Sequence, residues 1–571
     1  MVRCGMSSYD LESLSLPVLK GSALRAFANV LENPATRGLV LGSLLKSGGI
    51  TRLRALPQNR PPLFYPFSDE QDEPAGNRAR RKGDGPSARA LRACARGSES
   101  GAIFASVGDY AKAYASGATT PSEVAERFLK ALETEAREAK SIRGFIAVNE
   151  AELRRLAAAS TERYRARRPL GPLDGVPIAI KDEVDMVPYP TTVGTTFLGA
   201  AAATTDATTV ARLRAAGALL LGKANMHEIG INPIGHNVHY GHARNPYNRD
   251  HDTGGSSSGP AAATAAGLCP VSLGADGGGS IRVPAAHCGL VGLKATFGRI
   301  SGYGSAPIAW SVGHLGPIGA YTHDVALAYA TLAGPDPADP KTLRQPPVTI
   351  EGWDRDDLDG VTLGVFDDWF RHADAEVVAA CEALLGKLVE RGAVVHEIDI
   401  PGLDALRIAH AVTILSEMSS AMSAYPGEKR SFAPATRVSL ALARSFTSDD
   451  YIRAQRVRAE AMERFGEAFD SVDAIITPTS AVPAPAIPPD GIPSGISDLG
   501  TVTEIMRFAI PGNMLGHPAI SFPAGYTGKG LPIGMQAMGA HWHEHILLRI
   551  ANVAEQIVPR RAPEVLYDLL G

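Results

Sequence analysis

Two short runs, VPIAI (Val176–Ile180) and ALLLG (Ala218–Gly222), are apolar at successive positions rather than at every second one. A strand with one wet face alternates. A strand without alternation buries both faces, and the usual solution is a sheet with helices on either side. The segment DATTVARLRAAG (Asp206–Gly217) runs directly into the second of these strands with helical apolar spacing, a Thr/Asp-rich start and a glycine stop. VDAIITPTS (Val472–Ser480) and HPAISFPAG (His517–Gly525) read as further buried strands, and EHILLRIANVAEQI (Glu544–Ile557) as an amphipathic helix. The predicted fold class is therefore α/β, a sheet covered by helices on both faces. With 571 residues, 45% of them hydrophobic, the chain can bury a large core, and no internal repeat is evident.

Three zones are expected. Residues 1–65 read as a helical hairpin or cap. Leu24, Phe27, Val30 and Leu31 share one helical face, Asn33-Pro34 breaks that helix, and Leu39, Val40, Leu41, Leu44 and Leu45 form a second apolar patch. Such a hairpin either packs on the main body or lies at a lipid interface as a peripheral membrane contact. Residues 66–100 place an acidic cluster (Asp69, Glu70, Asp72, Glu73) before a basic one (Arg78, Arg80, Arg81, Lys82, Arg89, Arg92, Arg96), with few large apolar residues. This composition predicts a charged, solvated linker. Residues 101–571 form the α/β body.

Bulk charge and cysteine usage exclude several function classes. With 56 basic against 60 acidic residues and a net charge of −4, nothing draws the chain toward nucleic acid. Cys4, Cys94, Cys269, Cys288 and Cys381 are odd in number and scattered, which argues against a disulfide framework or a cysteine zinc site and suits a cytoplasmic setting. The opening MVRCGMSSYDLESL has no apolar core of a secretory signal, and no apolar run reaches the length of a membrane span. His227, His236, His239, His242 and His251 match no standard metal-ligand spacing. No metal is expected, and the loop 225–240 is expected to border a substrate pocket instead.

The segment DTGGSSSGPAAATAAGLCPVSLGADGGGSIRVP (Asp252–Pro284) holds the chemistry. GPAAATAAGL predicts a short helix, PVSLG a strand, ADGGGS a tight turn and IRVPAAHCG a further helical segment. Glycines let backbone N–H groups converge where other residues cannot. Convergent donors beside a serine are what an oxyanion hole requires. Ser280 is thus the candidate nucleophile, with Gly277, Gly278 and Gly279 as candidate oxyanion donors. A serine alcohol needs a base, and no histidine sits in a sequence context that marks it as one. Lys181, directly after the strand Val176–Ile180, is the alternative, since burial disfavours a charged amine. A salt bridge to Asp182, Glu183 or Asp185 is the competing reading.

The ordered set GVPIAIKD, GGSSSG and GADGGGSIR resembles the amidase signature family of serine hydrolases. GALLLGKANMHE, GLKATFGRIS, GPDPADP and NMLGHPAISFPAGYTGKGLPIGMQAMG extend the likeness over most of residues 105–570. The resemblance implies the amidase signature fold, with a central mixed twisted β-sheet, helices on both faces and an N-terminal helical extension. It implies a Ser–Ser–Lys relay with no cofactor. Ser280 attacks the amide carbonyl, Ser256 (in a cis peptide in the family) bridges to Lys181, and Lys181 takes the proton. Ser257 is then a supporting hydrogen-bonding residue, and Asp276 with Arg282 an ion pair that braces the turn or is structural only. Ala275 stands where the family often has Thr, so one local hydrogen bond is expected to be missing.

The N-terminal SLPVLKGSALRAFANVLENPATRGLVLGSLLKSGGITRLR, with SFTSDDYIRAQRVR, TVTEIMRFAIPGNMLGHPAISFPAGY and the closing LYDLL, is similar to the plant fatty acid amide hydrolase branch. That likeness implies a small-molecule amide substrate with an apolar acyl chain, such as an N-acylethanolamine, and a homodimer. An amidase for small aryl or alkyl amides or carbamates, and an amidotransferase A subunit, are the alternatives.

Overall fold

Eleven strands form one mixed sheet across the middle of the protein. A computed structural model of the chain describes residues 8–14, 17–57, 59–67, 85–99, 101–489 and 494–571. In chain order the strands are β1 (Phe145–Ala147), β2 (Pro177–Lys181), β3 (Leu219–Ala224), β4 (Val271–Asp276), β5 (Val291–Lys294), β6 (His314–Gly319), β7 (Thr362–Val365), β8 (Val394–Glu397), β9 (Ala474–Pro478), β10 (Ala519–Tyr526) and β11 (Pro532–Gly539). Their order across the sheet is β8-β7-β9-β11-β10-β5-β6-β4-β2-β3-β1. β4, β2 and β3 are mutually parallel, whereas β6, β5, β10, β11 and β9 succeed one another antiparallel. Ile178, Ile180, Leu221, Leu273 and Leu293 are fully buried, as the unbroken apolar runs require.

The helices that bear on the site are α1 (Gly21–Glu32), α2 (Gly38–Ser47), α3 (Ile50–Ala55), α4 (Ala88–Cys94), α5 (Thr208–Ala215), α6 (Ser258–Ala265), α7 (Arg282–His287), α8 (Leu403–Met422), α9 (Ser448–Phe469), α10 (Leu499–Met506) and α11 (Glu544–Ile557). α5 ends before Gly217, whose φ of +84° is open to glycine, and α11 has the bounds its periodicity predicts. The strand expected at Val176–Ile180 runs one residue further, because Lys181 still pairs with Ala224. α1 buries Leu24, Ala28 and Leu31 against Ala435 and Val438. α3 is tied to α9 by the two-pronged Arg54–Asp450 pair, both bonds 2.8 Å.

The linker expected over residues 66–100 falls outside the described residues between 68 and 84. Beyond it the expectation is corrected: Ser87 caps α4 by accepting from the Ala90 amide at 3.2 Å, and Ala90 and Cys94 enter the main core. Two small apolar residues four apart anchor this helix while Arg89 faces solvent, so composition alone hides it.

One consequence of this topology places the site. β2 and β4 are parallel neighbours, so Lys181 and Asp276 end at the same edge of the sheet. α6 crosses back from that edge to start β4, so its N-terminus, preceded by Ser256 and Ser257, opens there too. Crevices outside the carboxyl ends of parallel strands are where α/β sheets bind ligands.

Candidate active site

Lys181 is the last residue of β2 and is buried, although its strand brings it to a crevice. Its Nζ donates to Ser256 Oγ at 2.8 Å and to the Ala275 carbonyl at 3.2 Å, and meets Glu183 Oε2 at 2.8 Å. Lys181 therefore both reaches Ser256 and is paired with a carboxylate. Of the three acidic candidates only Glu183 is that partner. Asp182 faces Lys223 at 3.5 Å on β3, and Asp185 accepts from Thr191 at 2.7 Å.

Ser256 follows a cis peptide bond from Gly255, as the family resemblance implies. Ser280 lies in the turn after β4 and is 8% exposed. Among the described residues no hydrogen bond joins the Ser256 and Ser280 hydroxyls, yet both, with Lys181, line one cavity. Ser257 holds the end of β4 from below: its Oγ donates to the Ala275 carbonyl at 3.1 Å and accepts from the Ala275 amide at 3.2 Å, while its own amide donates to the Ser280 carbonyl at 3.3 Å.

The turn itself is locked by Asp276. Its carboxylate accepts from the Gly279 amide at 2.6 Å and the Ile281 amide at 3.1 Å, and from Arg282 Nε at 3.0 Å and Nη2 at 3.2 Å. Arg282 completes its fork on Gln536 at 2.6 Å and Asn513 at 2.5 Å, and Asn513 donates back to the Asp276 carbonyl at 2.8 Å. Burial opposes the charge on Asp276, but the Arg282 guanidinium, with Lys294 and the Gly279 amide, outweighs it and holds the carboxyl far below the usual carboxylate range. A buried pair held by several further hydrogen bonds is the form in which a buried charge is tolerated.

This network corrects the expected oxyanion donors. Gly279, at φ +119°, supplies the turn's backbone freedom, but its N–H is spent on Asp276. Among the described residues the amides of Gly277, Gly278 and Ser280 donate to no protein acceptor.

The cavity has a volume of about 300 Å³, within the range of small-molecule sites. Its apolar walls include Ile414 and Met418 of α8, Val502 and Met506 of α10, and Phe297. Ile229–Pro233 of the loop 225–240 also line it. The histidines of this region have separate partners: His239 bonds Glu228 at 2.6 Å, and His242, just beyond the loop, bonds Asp252 at 2.8 Å. Among the described residues no cluster of three or more His, Cys, Asp or Glu side chains could hold a metal, and no helix is long and apolar enough to cross a membrane.

Sequence reasoning did not single out His410, Asn513 or Gln536. His410 is one histidine in an apolar helix, and Asn513 and Gln536 are neutral amides inside strongly apolar segments, so none carries a spacing signal. Glu183 was legible only as one of three equivalent acids.

The family model described as Amidase matches residues 123–548 of the chain. The fatty acid amide hydrolase of Oryza sativa subsp. indica is 38% identical over 590 aligned positions, covering 99% of this chain and 96% of that one. The fatty acid amide hydrolase of Arabidopsis thaliana is 36% identical over 588 positions, again 99% and 96% of the two chains. Among solved structures, the native peptide amidase from Stenotrophomonas maltophilia aligns with a TM-score of 0.67 at 28% identity, over 81% of this chain and 98% of that one.

Proposed function

The chain belongs to the amidase family and is an amide hydrolase, and on that premise we propose that it cleaves fatty acid amides such as N-acylethanolamines through a Ser280–Ser256–Lys181 relay. The observation that carries the relay is the 2.8 Å bond from Lys181 to Ser256 at the cavity that Ser280 shares. Ser280 Oγ attacks the amide carbon and its proton passes to Ser256, whose own proton passes to the Lys181 amine. The amides of Gly277 and Gly278 receive the carbonyl oxygen as it becomes negative. The tetrahedral adduct then collapses: the C–N bond breaks, and the leaving nitrogen takes a proton from Ser256, which is refilled from the Lys181 ammonium. Water enters by the reverse sequence and frees the acid from Ser280. Glu183 pairs the ammonium that the first transfer creates. The Ser280–Ser256 contact is made when substrate closes the site, since catalytic hydrogen bonds often tighten only in the complex.

The apolar wall of the cavity supports an acyl chain as the substrate's larger part, because each buried CH₂ contributes about 0.8 kcal/mol. The same reading takes the protein as a homodimer whose N-terminal helices meet a membrane surface. Leu39, 82% exposed on α2, supports an apolar contact there. The deciding measurement is kcat/KM across acyl ethanolamides of increasing chain length: a rising series is expected, and a flat or falling one removes the fatty-amide reading in favour of small amides. Ser280→Ala is expected to abolish both turnover and labelling by a fluorophosphonate probe, and retained turnover removes Ser280 from its role.

A further inference from the structure

Helix α8 sets the polar side chain of His410 against the glycine turn. His410 is 1% exposed, and its Nε2 lies 2.8 Å from the Gly277 carbonyl oxygen. A carbonyl only accepts, so Nε2 carries the proton. Burial brings the imidazole's pKa down to about 4, which keeps it neutral near pH 7. The next peptide, Gly277–Gly278, is trans. In a trans peptide the C=O and the following N–H point in opposite directions. Anchoring the Gly277 oxygen toward α8 therefore turns the Gly278 N–H away from it.

That N–H has no acceptor among the described residues, although buried amides are normally paired. A peptide flanked by two glycines has little of its own to hold its plane. The packing around it is correspondingly tight: a Cβ on Gly278 would stand 3.0 Å from His410 Cε1 and 2.5 Å from Met506 Cε. Helices α8 and α10 thus both press on this glycine through His410 and Met506.

We propose that His410 is a positioning residue for the oxyanion hole: by holding the Gly277 carbonyl it aims the Gly278 N–H at the acyl oxygen of the substrate on Ser280. His410 lines the same cavity as Ser280, and the role assigned to it runs through its bond to the Gly277 carbonyl. It acts through one peptide plane, and it rests on the reading of Ser280 as nucleophile.

The test compares His410→Leu, which cannot donate, with His410→Gln, whose amide N–H₂ has similar reach. Each is assayed for kcat and KM on an acyl amide and for the Ki of a trifluoromethyl ketone bearing the same acyl chain, which forms a tetrahedral adduct. Loss of aim at one oxyanion donor is expected to lower kcat on the order of 10- to 100-fold in His410→Leu, somewhat less than removing a donor outright. KM should stay within about twofold, and the ketone's Ki should rise by the same factor as kcat falls, because both report tetrahedral binding. His410→Gln should retain activity within about fivefold, since it keeps the anchoring bond. Unchanged kcat in His410→Leu, a kcat loss with unchanged Ki, or a His410→Gln variant as slow as His410→Leu overturns the proposal. If His410→Leu does not fold, His410→Met, an adaptable filler of similar volume, takes its place in the same comparison. Ser280→Ala separates the two readings: turnover in that variant sinks the nucleophile assignment, whereas an inactive Ser280→Ala beside a fully active His410→Leu sinks only the role of His410.

Discussion

Replacing Lys181 with methionine removes the amino group while keeping the length of the side chain. Three contacts go: Ser256 Oγ at 2.8 Å, Glu183 Oε2 at 2.8 Å and the Ala275 carbonyl at 3.2 Å. The carbonyl keeps Ser257 Oγ at 3.1 Å, so its loss is small. Glu183 becomes an unpaired carboxylate that is 14% exposed. Breaking a fully buried pair costs about 3–5 kcal/mol, and partial access to water brings the expected cost down to about 2–3 kcal/mol. Loss of the proton acceptor should cost more in rate. A positioned general base contributes about 10²- to 10⁴-fold, equivalent to about 2.7–5.5 kcal/mol in the barrier. The double variant Lys181→Met/Glu183→Gln separates these effects. Neutralising the stranded carboxylate should restore most of the lost stability, and activity should stay as low as in the single variant. Urea unfolding at fixed slope reads the first quantity, and kcat/KM on an acyl amide reads the second. Activity that returns in the double variant, or a single variant less than about tenfold impaired against that base contribution, would refute Lys181 as the proton acceptor. A double variant no more stable than the single would show that Glu183 is not its energetic partner.

Other expectations follow from the same geometry. Gly278→Ala puts a methyl group 2.5 Å from Met506 Cε and 3.0 Å from His410 Cε1, so the imidazole must withdraw; kcat should fall with a stability change of only about 1 kcal/mol, since the methionine end can move. Arg282→Met strands the buried Asp276 carboxylate and should cost about 3–5 kcal/mol in urea unfolding, a loss that a surface variant such as Arg165→Met should not show. Burial lowers the pKa of His227 and His323 to about 3 and of His287, His410 and His541 to about 4. Below about pH 6.5 the unfolded chain binds these protons first, so stability is complete above that pH and falls toward pH 4, by about 2 kcal/mol per histidine at pH 5. Asp276, whose pKa is lowered, adds no slope between pH 7 and about pH 5, because its contribution is lost only once the pH reaches the ordinary carboxylate range, where the unfolded carboxyl takes up a proton first. A urea midpoint that stays flat between pH 7 and pH 5 contradicts this linkage.

Much of the fold was legible because two periodicities suffice for it. Short unbroken apolar runs bounded by turn residues read as strands buried on both faces, and β2, β3, β9 and β10 lie on or within one to two residues of those runs. The glycine stop after α5 and the stripe of α11 were equally readable, since each depends on its own neighbours in sequence. α4 was hidden because a helix anchored by Ala90 and Cys94 looks like charged coil when only composition is weighed. At the site, the residue types were legible and the pairings were not. Ser257, Asp276 and Arg282 lie close in sequence to the turn they brace. Asn513 and Gln536, which complete the arginine's fork, come from far along the chain and leave no local trace.

The sequence by itself determined the chemistry available. It supplied a serine after three glycines, a second serine run before an alanine helix, and a lysine at the end of a buried strand. It also set the α/β class, because hydrophobic patterning acts residue by residue along the chain. The tertiary structure alone decided which of these groups meet. Parallel pairing of β2 and β4 brings Lys181 and the Ser280 turn to one edge, and the crossover helix α6 starts at the same edge and delivers Ser256. Only that assembly assigned Glu183, rather than its two acidic neighbours, to Lys181, took the Gly279 amide for Asp276, and set His410 against the Gly277 carbonyl. Hydrogen bonds act over about 3 Å in space with no regard to separation in sequence, so who bonds to whom at this site is a property of the packed sheet.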